Sequence, residues 1–199
     1  MCSHAASARA LMNICDACRS SLVQYLPSII MLTTSVHQSK TPVVDQLEMW
    51  RGVGYIVTAC EHSKLTETLN YVLTPLIEGL TVALNECDSL NQPTTADVIL
   101  RLHNVCDWWQ KITEVISSVK VPSYAPPTSE RMSSHPHHSA VALTWPLVQR
   151  SCVLTNHYPT ISTAVMEDVC RFFKHCMRSM RAEWFVPLLE SVATFAMDG

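Results

Sequence analysis

The sequence predicts an all-α chain of stacked helix pairs, and three observations carry that expectation: scarce glycine, apolar residues at helical spacing, and a short proline-led element that recurs. Glycine numbers 4 in 199 residues, where an average protein has about 7%, and the tight hairpins of an all-β fold depend on it. Hydrophobic residues make up 48% of the chain, enough for a continuous buried core. Charged residues make up only 16%, against roughly 25% in an average soluble domain, so much of the surface is expected to face protein.

Helical spacing is clearest where Leu11, Ile14, Cys15, Cys18 and Leu22 follow the i, i+3, i+4, i+7 rule of one buried face. Comparable amphipathic stretches run over 5–18, 43–60, 95–119 and 160–180. Each precedes a proline-led element: Leu26-Pro27-Ser28-Ile29, Thr74-Pro75-Leu76-Ile77, Trp145-Pro146-Leu147-Val148 and Val186-Pro187-Leu188-Leu189. Proline is tolerated in a helix's first turn, where its missing N–H would have no partner, so these elements mark helix starts. Pro75 alternatively kinks a longer helix that begins near Leu65.

The prolines stand about 48, 71 and 41 residues apart, and the outer two spacings lie near the roughly 40–47 residues of a HEAT or armadillo unit. The wide interval contains an insert from Val121 to Ser139, where Pro122, Pro126, Pro127 and Pro136 accompany serines and the cluster His135-Pro136-His137-His138. That composition reads as a flexible Pro/Ser/His loop, and without it the interval falls to about 52 residues. The expected architecture is a single segment over 1–199 of about four HEAT-like helix pairs, eight main helices in all. Such pairs cannot bury their apolar faces alone, and neither end carries an obvious polar cap, so the chain reads as part of a longer α-solenoid.

The charge and cysteine patterns narrow the function classes. A net charge of −3 lacks the strong basic bias of a duplex-binding domain, so nucleic acid is not the expected ligand. The uncharged run from Ser20 to Ser39 is interrupted by Gln24, Pro27, Thr33, Thr34 and His37, which argues against a membrane span. Nine cysteines are an odd number and sit mostly in apolar helical patterns, with no apolar signal core at the N-terminus, which fits reduced thiols in a reducing compartment. Cys15 and Cys18 form a Cys-x-x-Cys, but no second such pair follows at zinc-finger spacing, and both read as small core hydrophobes, as do Cys170 and Cys176. His135, His137 and His138 have only Glu130 as a nearby carboxylate and read as a solvated loop rather than a metal site. No catalytic triad, metalloprotease helix or phosphate loop is present. The chain is expected to have no catalytic residue, no metal and no cofactor.

Trp50, Trp108, Trp109, Trp145 and Trp184 read mostly as core. Neighbours in a helix lie about 100° apart, so one of Trp108 and Trp109 is expected to face away from its helix's apolar stripe, as a partner contact. The most informative helix runs over 160–180. Val165, Val169, Phe172 and Cys176 cluster on one side of it, and Arg171, Lys174, Arg178 and Arg181 almost opposite. A row of four cations with no acid between Arg171 and Arg181 suits acidic or phosphorylated protein ligands.

Four passages together resemble one family. They are Ala5-Ala6 through Asn13-Ile14-Cys15 with Cys18-Arg19; Lys64-Leu65-Thr66-Glu67-Thr68-Leu69; His135-Pro136 followed by Trp145-Pro146-Leu147-Val148; and Glu167 to Arg178 with Cys170-Arg171. In order and spacing they resemble the importin-β (karyopherin-β) superfamily, most closely its transportin-SR and importin-thirteen branch. The resemblance implies a fragment from the middle to C-terminal half of a nuclear transport receptor. Such a receptor binds protein cargo in the cytoplasm and nucleus, and meets the small GTPase Ran through repeats outside this chain. In transportin-SR an arginine-rich helix receives arginine–serine domains, often phosphorylated. By position that implied role falls on Arg171, Lys174 and Arg178, with a lysine in place of one arginine, and Arg181 extends the row. The alternatives are a HEAT scaffold or adaptor unrelated to transport, such as a phosphatase regulatory subunit, and an enzyme using the cysteines or a metal.

Overall fold

The computed structural model describes residues 4–37, 41–90, 94–121, 135–158 and 162–180, and every regular element among them is helical. Helix α1 spans His4–Ala17, and the short α2, Arg19–Leu22, passes through a 3-10 turn at Val23–Tyr25 into α3, Leu26–His37. Then come α4 at Val43–Thr58, α5 at Leu65–Asp88, α6 at Thr95–Ser118, α7 at Pro136–His157 and α8 at Thr163–Ser179. The eighth main helix expected around Pro187 lies outside the described residues.

Local chemistry explains where these helices begin. Pro27 occupies the first turn of α3, where its missing N–H costs nothing. Thr94 and Asp97 form a capping box on α6: the Asp97 N–H donates to Thr94 Oγ1 at 3.2 Å, and the Thr94 N–H donates to Asp97 Oδ2 at 3.1 Å.

Two proline elements are not helix starts. Pro75 lies inside α5 and Pro146 inside α7. An interior proline costs about 3 kcal/mol, which burial offsets in α5, where Leu69, Val72, Leu73, Leu76 and Leu80 are all fully buried. Helix α7 begins instead at Pro136, within the stretch expected to be loop, with proline at its first position and His135 as N-cap. His135 and His137 are therefore buried rather than solvated. The remainder of the expected loop, 122–134, lies outside the described residues.

From α4 onward the helices pack largely on the helix after next. Helix α1 lies against α4, α4 against α6, and α6 against α8; α5 lies against α7. Sequential neighbours close the structure, with α3 on α4, α5 on α6 and α7 on α8. Backbones approach closely at two glycines. A Cβ on Gly54 of α4 would stand 2.6 Å from the Ser118 Cβ of α6, and one on Gly79 of α5 would run into the Trp108 indole of α6. We expect Gly79→Ala to lower stability by about 1 kcal/mol net, because displacing a rigid buried ring costs about 1–3 kcal/mol against the roughly 1 kcal/mol that alanine gains over glycine in a helix. Urea unfolding at neutral pH measures it.

Polar ties cross the same contacts. Arg51 Nε of α4 donates to Glu114 Oε2 of α6 at 2.9 Å, and Ser139 Oγ of α7 donates to Asn70 Oδ1 of α5 at 3.1 Å. Thr58 Oγ1 donates to the Ser118 carbonyl at 3.3 Å and accepts from the Lys120 N–H at 3.1 Å, which holds the end of α6 against the end of α4.

Both Trp108 and Trp109 are buried, so neither is the outward partner contact expected from their adjacency. The reason is that α6 is covered on three sides, by α4, α5 and α8. Trp108 faces Gly79 of α5. Trp109 faces α7 and α8, donating from Nε1 to Ser151 Oγ at 3.1 Å and lying 5.5 Å from the Phe172 ring. Lys111 is also buried, its ammonium 4.4 Å from the Trp108 ring centre, and burial lowers its pKa to about 8.

Eight cysteines fall among the described residues, all free. Cys15, Cys87, Cys106 and Cys176 are buried, whereas Cys18 and Cys170, expected on apolar faces, are exposed. Cys18 lies just past the end of α1, and Cys170 points away from the buried stripe of α8.

Candidate functional site: the basic face of α8

Helix α8 is anchored at its start by Ser162, whose hydroxyl is fully buried and donates to the Tyr158 carbonyl at 2.6 Å, joining the end of α7 to the start of α8. From there the helical repeat places Val165, Val169, Phe172 and Cys176 inward, all at most 1% exposed. Phe172 is the centre of this stripe. Its ring lies 5.5 Å from both Trp109 of α6 and Phe173, and Phe173 in turn meets Trp145 of α7 edge-on at 6.4 Å. Burial raises the Cys176 thiol pKa, so this sulfur is packing material and not a nucleophile.

With that stripe held by α6 and α7, the opposite side of α8 can only face outward. Arg171, Lys174 and Arg178 are all exposed there, on one face at i, i+3, i+7. Arg181 lies outside the described residues. Among the described residues neither Lys174 nor Arg178 has an acidic partner within salt-bridge distance.

Arg171 differs from its neighbours. Its Nη1 stands 2.7 Å from Asp168 Oδ1, and the Asp168 side chain is only 5% exposed. The other Asp168 oxygen accepts from Gln110 Nε2 of α6 at 2.9 Å. Burial raises the Asp168 pKa, while the Gln110 bond and the Arg171 charge oppose it. The Cys106 thiol beside it is pushed up to about 12, mainly by burial and then by the Asp168 charge. Asp168 therefore ties α8 to α6 and pre-orients Arg171 at the edge of the basic face. An i, i+3 Asp–Arg spacing was the available sequence signal for this pair, one turn before the row of cations.

His175 reports the potential of the face. It is half-buried, and its pKa is lowered first by burial and then by Arg178; Glu114 opposes this, and Lys174 and Arg171 add smaller lowering effects. Among the described residues no group of three or more metal-ligating side chains is assembled, and no helix is long and apolar enough to cross a membrane. No family model matches the chain, and neither a curated protein nor a solved structure matches it.

Proposed function

We propose that the chain is a segment of an α-solenoid receptor of the importin-β kind, transportin-SR and importin-thirteen branch, that holds protein cargo noncovalently on the basic face of α8. The observation that carries this reading is the opposition of exposed Arg171, Lys174 and Arg178 to a fully buried stripe on the same helix. The core sets the direction of these cations, so binding an anionic partner requires little ordering of the backbone. The packing of α4 on α6, α5 on α7 and α6 on α8 supports the solenoid, since a stack of helix pairs needs that alternation. Cargo rich in phosphorylated arginine–serine repeats fits the face: phosphates are strong acceptors and the guanidinium forks of Arg171 and Arg178 match them, while Lys174 adds a point charge. Ran would act through repeats outside this chain, and the receptor would work between cytoplasm and nucleus.

The test uses His175 as a probe. A phosphorylated arginine–serine peptide brings negative charge to the face, favours the imidazolium and is expected to raise the His175 pKa toward or above its ordinary value. The unphosphorylated peptide should not do so. Titration of the His175 ring protons by NMR, with and without each peptide, measures it. An unmoved His175 together with no saturable binding would reject the reading.

A further inference from the structure

Where the start of α7 meets the ends of α6 and α8, two histidines are buried side by side. His135 is 1% and His137 0% exposed, their ring centres are 5.8 Å apart, and the planes are inclined at 60°. Neither ring nitrogen of His137 has a hydrogen-bond partner. An unpaired polar group so deeply buried is costly, and an apolar side chain of similar size would avoid that cost.

The surroundings disfavour a positive charge at this position. His135 caps α7 and His137 is its second residue, so both sit at the positive end of the helix dipole. From α7 itself His138 lies beside His135, from α8 His175 faces His137, and from the turn between α4 and α5 His62 faces His135. Two carbonyls act the other way, Ser179 of α8 toward His135 and Ile116 of α6 toward His137, the latter without reaching hydrogen-bond geometry. Lys174, Arg178 and Arg171 add positive charge around His175. The one carboxylate acting on His175, Glu114, is already held by Arg51.

We propose that the His135–His137 pair is an acid-sensitive latch: neutral imidazoles seat the start of α7 between the ends of α6 and α8, and protonation unseats it. Burial, followed by the neighbouring histidines, lowers the His135 pKa to about 4 and the His137 pKa to about 3. Above the ordinary histidine value of about 6.5 both imidazoles are neutral whether the junction is closed or open, and the seat is fully stable. As pH falls below that value, the open form takes up protons that the closed form refuses, until the closed form itself titrates. Through that window each pH unit multiplies the opening constant by up to about tenfold per imidazole. His138, whose pKa is also lowered by burial, adds to the same direction. Opening this junction loosens the last turns of α8, which carry Lys174 and Arg178.

Amide hydrogen exchange on the whole chain tests the latch, with opening constants corrected for intrinsic exchange at pH 7.5, 6.5 and 5.5. In the wild type the amides of the first turns of α7 and the last turns of α8 are expected to open about five- to thirtyfold more readily at pH 5.5 than at 6.5, while α1 and the start of α4 stay unchanged. His137→Leu and His137→Met keep an apolar side chain of similar size, and in whichever folds the rise should shrink by about fivefold. His157→Gln, at the exposed far end of α7, should behave as wild type. A pH-independent junction in the wild type, or a full rise in the His137 variants, would overturn the latch. So would a His137 ring in the wild type that titrates near 6.5 by NMR without any opening.

Discussion

Replacing Trp109 with alanine is expected to destabilise the protein by about 3–5 kcal/mol. The indole is fully buried at the junction of three helices, touching Phe172 of α8 and donating to Ser151 of α7. Its removal leaves a cavity that α6 cannot collapse into, because α4 and α5 hold that helix from its other sides. The Ser151 hydroxyl loses its donor but still donates to the Leu147 carbonyl at 2.8 Å, so the loss comes mainly from packing. Urea unfolding followed by circular dichroism measures it. A double-mutant cycle with Phe172→Leu should show coupling, since the two rings share one contact. A loss below about 1 kcal/mol for Trp109→Ala would mean that α8 does not seat on α6 as described.

Reversing Arg171, Lys174 and Arg178 together to glutamate is expected to weaken a phosphorylated arginine–serine peptide by well over tenfold. Exposed ion pairs contribute up to about 1 kcal/mol each, and contacts to charged groups rise to about 1.5–3 kcal/mol when partly desolvated. Three together exceed the 1.4 kcal/mol of one decade even if Arg171 contributes least, as it must share its charge with Asp168. The variant should also flatten the salt dependence of binding. Melting should fall only modestly: the buried stripe is untouched, but Arg171→Glu removes the charge partner of buried Asp168. Titration calorimetry at two ionic strengths, wild type against variant, is the measurement. Equal affinities in a folded variant would return the face to an ordinary solvated one.

The sequence made the helices legible where one face is apolar and the ends carry a chemical signal. The start of α4 at Val43, of α6 at Thr95 and the inward set of α8 follow from the apolar periodicity. Helix α7 was less legible, because Pro136 belongs to a proline-rich stretch whose composition reads as loop, while the residue itself sits at a permitted first position. Pro146 misleads for a related reason, since tertiary burial outweighs a local cost that a single helix could not bear, whereas Pro75 takes the alternative place inside a longer helix from Leu65. Trp108 and Trp109 escaped because an apolar stripe implies one packing partner, and α6 has three. For the basic face, periodicity placed Arg171, Lys174 and Arg178 on the outside. It did not reveal the buried Asp168 that holds Arg171, since a carboxylate beside an apolar stripe gains its place only from Gln110 on another helix.

Packing on the element after next also sets a schedule for a ribosome. Trp109 leaves the exit tunnel about 63 residues before Phe172, the ring that covers it. At roughly 5–20 residues per second, that surface of α6 waits some 3–13 s for its partner. Synthesis thus leaves an aromatic patch open for longer than helices take to form, and holding that patch apart from other nascent chains becomes a task for whatever binds the growing protein first.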